Sequence, residues 1–113
     1  MMRLRLPAAV AGVCAATMMG IVAAEAADLK AGAQKARQCQ TCHGLDGQAK
    51  LPDAPNLAGQ TAIYLVKSLK DYRDGARKNE MMSLVARNLK DDDIADLAAY
   101  YAAIPVTVGP PPK

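Results

Sequence analysis

A chain of 113 residues with no Trp, no Phe and only four Tyr has little bulk with which to fill a core. Its length suggests one compact domain at most. Small domains bury a modest share of their surface, and they commonly depend on a disulfide, a metal or another inserted group. Whatever this chain folds into must therefore find its missing core material somewhere.

The N-terminus narrows the search. "MMRLR" is basic, Leu6 to Ala24 carries no charge, and Ala24-Glu25-Ala26 has the small-x-small form of a cleavage site. This reads as a secretory signal peptide over residues 1–26. The alternative is a retained membrane anchor, because the uncharged stretch just reaches spanning length. Its Ala and Gly content and Pro7 argue against that. Cys14 follows Val13, where a lipoprotein signal wants a small residue, and is given no role. After cleavage two cysteines remain, Cys39 and Cys42, with the sole histidine, His43. The formal charge of +3 falls to near +2 without Arg3, Arg5 and Glu25. That balance is too small and too evenly spread for nucleic acid.

The rest of the chain reads as helices. Asp28 can cap a helix running to Arg37, and Leu29, Ala33 and Ala36 share one side of it. Gly44 to Gly59 holds three Gly and two Pro and no sustained period, so it reads as an irregular loop. Loops of that length in small domains are usually functional or disordered. Leu45, Leu51 and Leu57 argue for an anchored one. "TAIYLVKSLKDYRDG" is the clearest helix, capped by Thr61 and ended by Gly75, with Ala62, Leu65, Leu69 and Tyr72 in one stripe. "ARKNEMMSLVARNL" is less regular. "DDDIADLAAYYAAI" is the last helix, with three Asp at the positive end of its dipole and Ile94, Leu97, Ala98 and Tyr101 on its apolar face. Pro105 stops it, and residues 105–113 form a Pro-rich extended tail. No run alternates like a strand. The expectation is an all-α domain over residues 27–104 with about three main helices.

Cys39-Gln40-Thr41-Cys42-His43 is the one cluster of reactive side chains. A disulfide is possible in an oxidising compartment. A redox-active pair of thioredoxin type would sit beside a βαβ pattern, which is missing. A structural zinc site needs four ligands, and two cysteines with one histidine make three. C-x-x-C-H is also the spacing of a c-type haem attachment site. There both thiols form thioethers with the porphyrin, and the histidine that follows binds the iron. A haem would also supply the large apolar surface that the core lacks. The chain without it should be largely unfolded.

A second axial ligand cannot be another histidine. Methionine is the common partner in electron-carrying cytochromes, and Met81 and Met82 are the two in the mature chain. Lysine ligation and an open iron are the alternatives, and methionine also serves as plain core filler.

The segments CQTCHG, PNLAGQ from Pro55, YLVKSLKDYRDGARKN from Tyr64 and MMSLVARNLKDDDIADLAAYY occur in an order similar to that of class I cytochromes c of the small bacterial soluble, mono-haem type. The resemblance covers Leu29 to Ala103. It implies the cytochrome c fold, with the first and last helices crossing at Gly32 against Leu97 and Tyr100 or Tyr101. It implies one covalent haem c held by Cys39 and Cys42, with iron bound by His43 and Met82. The family's ligand methionine lies seven residues before the leucine matching Leu89, which selects Met82. The Pro55 carbonyl would accept a hydrogen bond from His43. Lys90 departs from the family's Ser or Thr before the last helix, so Asp91 is expected to take over that cap.

What this implies is a periplasmic one-electron carrier without catalytic activity. It would be monomeric and would dock transiently with a redox protein donor and acceptor; it would meet a membrane only if residues 1–26 are retained. The alternative is the haem-bearing subunit of a dehydrogenase complex. Leu45, Leu51, Leu57, Tyr64, Leu65, Leu69, Leu84 and Leu89 are the candidate pocket residues, with Tyr64 or Tyr72 bonding a haem propionate. Lys50, Lys67, Lys70, Lys78 and Arg87 are candidates to steer an acidic partner.

Overall fold

A computed structural model describes residues 26–113, so nearly all of the expected signal peptide, 1–26, lies outside the described residues. Five α-helices follow in order, α1 (Leu29–Lys35), α2 (Gln40–His43), α3 (Ala62–Asp74), α4 (Glu80–Ala86) and α5 (Asp91–Ala102). Among the described residues there is no strand, as expected of an all-α chain.

α1 begins where Asp28 accepts from the Lys30 and Ala31 amides at 2.8 and 3.1 Å. It stops at Lys35, two residues short of the expected Arg37. The chain tightens there into a 3-10 turn, Ala36–Gln38, whose last carbonyl-to-amide closure is Cys39 N to Ala36 O at 2.9 Å. Composition does not separate a 3-10 turn from the end of an α-helix, since both use the same local residues. α2 is one turn long, with the His43 amide bonded to the Cys39 carbonyl at 2.9 Å.

α3 has the expected Thr61 cap and Gly75 end. Its inner face is Leu65, Leu69 and Tyr72, whereas Ala62 is exposed in the first turn. α4 is regular where the sequence seemed less so. Asn79 accepts from the Met81 and Met82 amides at 3.1 and 2.9 Å, and Ser83 Oγ accepts from the Asn79 amide at 3.1 Å. This local cap forms a short helix that apolar periodicity does not announce. At α5 the cap position is Lys90, not Asp91. Lysine has no acceptor, so half of a capping box does the work: Asp93 accepts from the Lys90 amide at 2.9 Å. Asp91 faces outward and pairs with Arg73 at 2.8 Å, while Arg73 also donates to the Leu89 carbonyl at 3.2 Å.

The core is Ala36, Leu65, Ala86, Leu89, Ile94, Leu97, Ala98 and Tyr101, with three alanines among eight residues. α1 crosses α5 at Gly32. A Cβ there would strike the Asp96 carbonyl and come within 2.8 Å of Tyr100 Cβ, so Tyr100 is the aromatic at the crossing. The same crossing buries a polar clamp. Asp96 accepts from the Asp28 amide and from Lys35 Nζ, both at 2.7 Å, and Lys35 also reaches Asp93 at 2.9 Å. Lys35 holds the Asp96 carboxyl below its usual range; Asp93 is lowered by the Lys90 amide first and Lys35 second.

Candidate haem site

The 3-10 turn and α2 present three side chains within five residues. Cys39 and Cys42 are free thiols, each half-buried, and His43 is buried. Burial, with a smaller contribution from Cys42, pushes the Cys39 thiol up to about 11. This favours a neutral thiol over a thiolate. Among the described residues no group of three or more His, Cys, Asp or Glu is arranged to hold a metal ion, which leaves a zinc site without its ligand set.

His43 Nδ1 lies 2.8 Å from the Pro55 carbonyl oxygen. A carbonyl only accepts, so Nδ1 carries a proton, and in the neutral imidazole this leaves the lone pair on Nε2. A histidine tied at one nitrogen and basic at the other is oriented to bind a metal.

The loop that delivers Pro55 is ordered by its own backbone. Gly47 O accepts from the Leu57 and Ala58 amides at 2.8 and 3.1 Å, Asn56 Oδ1 from the Ala49 amide at 2.7 Å, and Cys42 O from the Lys50 amide at 2.8 Å. α5 holds both ends. Tyr101 donates to the Gly44 carbonyl at 2.9 Å, Tyr100 to the Leu45 carbonyl at 2.8 Å, and the Gly59 amide donates to Tyr101 O at 3.1 Å. Gly44 turns the chain out of α2 with φ 72°, a conformation that favours glycine. Sequence reasoning placed Tyr100 or Tyr101 at a helix crossing and missed the hydroxyls of both. A Tyr where Phe would pack as well is the clue that was present.

The expected pocket residues separate into two sets. Leu65 and Leu89 are buried in the protein's own core, with Leu57 and Leu69 packed against it. Leu45, Leu51, Tyr64 and Leu84 are 40 to 57 % exposed. Met82 is half-buried in the first turn of α4, and Met81 is 57 % exposed. Two free thiols with two residues between them, an adjacent imidazole with one nitrogen free, and apolar side chains left outside the core fit a covalently attached iron porphyrin.

An all-helical chain with this donor set is of the class that carries a haem on a C-x-x-C-H turn. The cytochrome c family model matches residues 29–103. The chain belongs to the cytochrome c family, whose members carry covalent haem c, and the CQTCH motif provides for one. It is 51 % identical over 81 residues to cytochrome c-554(548) of Halomonas halodenitrificans, covering 69 % of this chain and 98 % of that one. It is 45 % identical over 84 residues to cytochrome c4 of Pseudomonas aeruginosa, covering 74 % of this chain and 42 % of that protein. The crystal structure of reduced cytochrome c4 from Pseudomonas stutzeri matches with a TM-score of 0.67 and 38 % identity, over 74 % of this chain and 49 % of that one. The chain thus spans nearly all of the first relative and about half of the length of the cytochromes c4. It is an electron-carrying c-type cytochrome. Among the described residues no helix is long and apolar enough to cross a membrane.

Proposed function

We propose that this chain is a class I mono-haem cytochrome c that carries single electrons in the periplasm. In this reading residues 1–26 direct export and are removed, residues 27–104 form the haem domain, and 105–113 are a tail. When bound, haem c supplies a one-electron iron couple.

Cys39 and Cys42 would hold the group through thioethers, and His43 and Met82 would ligate its iron. The observation that carries the reading is the 2.8 Å bond from His43 Nδ1 to Pro55, which leaves Nε2 as a ligand in the turn that bears both thiols. Met82 is favoured over Met81 by its greater burial. With the iron held by both His43 and Met82, no position would be open to a substrate, and the chain would act as a carrier without catalysis.

Donor and acceptor redox proteins dock briefly on a monomer, as such small encounters do. Charge steering is weaker than the sequence suggests. Lys50 is paired with Asp46 at 3.0 Å, Lys67 with Asp71, and Lys70 with Asp91 at 3.6 Å. Of the five candidates, Lys78 and Arg87 have no ion pair among the described residues.

The test is the spectrum of the mature, exported protein. Met82→Ala is expected to abolish the methionine–iron charge-transfer band of the oxidised form, and Met81→Ala to keep it. The reverse result overturns the ligand assignment. Stable co-purification with a larger catalytic subunit would replace the free carrier by a complex subunit.

A further inference from the structure

The loop around Pro55 closes a circuit of hydrogen bonds that begins and ends on the C-x-x-C-H turn. The Cys42 carbonyl accepts from the Lys50 amide at 2.8 Å. Ala49, the residue before Lys50, donates its amide to Asn56 Oδ1 at 2.7 Å. Pro55, the residue before Asn56, accepts from His43 Nδ1 at 2.8 Å, and His43 follows Cys42 in the chain. The first of these bonds is made by backbone alone, and the last by the imidazole itself. The middle one is made by the Asn56 carboxamide, the other side chain in the circuit.

The oxygen that meets His43 belongs to the peptide joining Pro55 to Asn56. A peptide group is planar and turns as one unit, so whatever holds Asn56 also sets where that oxygen points. Upstream, Leu51, Pro52 and Asp53 are exposed, in a turn closed by the Ala54 amide on the Leu51 carbonyl at 3.2 Å. Downstream, the Leu57 and Ala58 amides hold the chain to the Gly47 carbonyl at 2.8 and 3.1 Å. Between an exposed turn and that anchor, the Asn56 side chain reaches back seven residues and fixes the peptide from its own α-carbon. A carbonyl held on the outer nitrogen of a ligating imidazole raises the basicity of the ring. A more basic ligand favours the oxidised iron.

We propose that Asn56 is a positioning residue: through its bond to Ala49 it aims the Pro55 carbonyl at His43 and so sets how strongly that imidazole donates. The inference rests on the haem site proposed above. It goes beyond that site by giving a role to a residue that acts on the imidazole through Pro55.

The test uses haem-loaded protein carrying Asn56→Ala, Asn56→Ser, Asn56→Asp or Thr61→Ala. Two quantities are read: the midpoint potential, and the solvent exchange of the His43 Nδ1 proton by NMR of the reduced form. Asn56→Ala frees the Pro55–Asn56 peptide. The proton should then exchange about fivefold faster, the usual worth of one hydrogen bond. The potential should rise, because an imidazole that donates less favours the reduced iron. Asn56→Ser offers an acceptor of shorter reach, should shift both quantities by less, and tests the role if Asn56→Ala does not load haem. Asn56→Asp keeps the acceptor, so exchange should stay as in the wild type, and the added negative charge should lower the potential. Thr61→Ala removes the neutral cap on the Tyr64 amide, 3.4 Å away, and should lower Tm while moving neither quantity. Three results overturn the role of Asn56 alone: Asn56→Ala with exchange and potential unchanged, Asn56→Asp exchanging as fast as Asn56→Ala, or Thr61→Ala reproducing both shifts. A wild-type chain without covalent haem overturns the underlying site as well.

Discussion

Tyr101, 2 % exposed in the core, donates its hydroxyl to the Gly44 carbonyl at 2.9 Å and so ties α5 to the residue that follows His43. Burial, with smaller contributions from Cys39, Tyr100 and Asp46, raises its phenol far above the ordinary value, so it remains a donor in alkaline solution. Tyr100 makes the parallel bond to Leu45 from a more exposed position. The two rings meet edge to face, 5.1 Å apart. The last helix thus holds the turn that bears the cysteines and histidine.

Tyr101→Phe keeps the ring and leaves the Gly44 carbonyl without its donor. Losing one partner of a buried hydrogen bond costs about 1–3 kcal/mol. The expected result is a lower denaturant midpoint at unchanged slope, with Tyr100→Phe showing a smaller loss.

Gly32→Ala tests the crossing of α1 and α5. Alanine gains up to about 1 kcal/mol over glycine in a helix interior. Here its Cβ meets the Asp96 carbonyl and Tyr100. Overpacking typically costs about 1–3 kcal/mol and should win. Thermal unfolding of the haem-loaded protein should show a lower Tm; a higher Tm would mean that the helices separate without penalty.

The Asp96 clamp predicts how stability depends on pH. Asp96 and Asp93 titrate lower folded than unfolded. Their contribution is complete above the unfolded carboxylate value and is lost as pH falls through the folded values. Lys35 is raised by Asp96 and then Asp93, so its share is complete below the unfolded lysine value and is lost as pH rises through the folded one. Asp96→Asn should be less stable than wild type at neutral pH, and the gap should narrow in acid. Urea titrations at several pH values measure that gap, and a constant difference would contradict the assignment.

Removing the covalent attachment should unfold the chain. The core holds one large fully buried side chain, Ile94, and Leu45, Leu51 and Leu84 lie outside it. Cys39→Ser with Cys42→Ser is expected to lose most of its far-ultraviolet helical signal and its cooperative transition. A haem-free variant that retains both would show that α1, α3 and α5 suffice.

Periodicity and capping residues made α3 and α5 legible, because Thr61, Gly75 and the Asp91–Asp93 run act within a few residues of where they stand. α4 was not legible as a helix, since its cap is a side-chain geometry around Asn79 and Ser83, not an apolar pattern. The end of α1 was misplaced because a 3-10 closure at Cys39 uses the same residue types as an α turn.

The linear order of residues by itself determined an all-helical chain short of core, with two thiols and an imidazole spaced for one porphyrin, since attachment chemistry needs only neighbours in the chain. Only the tertiary structure decided which groups far apart in sequence serve that turn. Pro55 bonds His43, Tyr101 bonds Gly44, and Asp96 reaches Asp28 and Lys35. Each of these bonds joins positions 12 to 68 residues apart, and such pairings follow from how helices and loops pack, which no local propensity encodes.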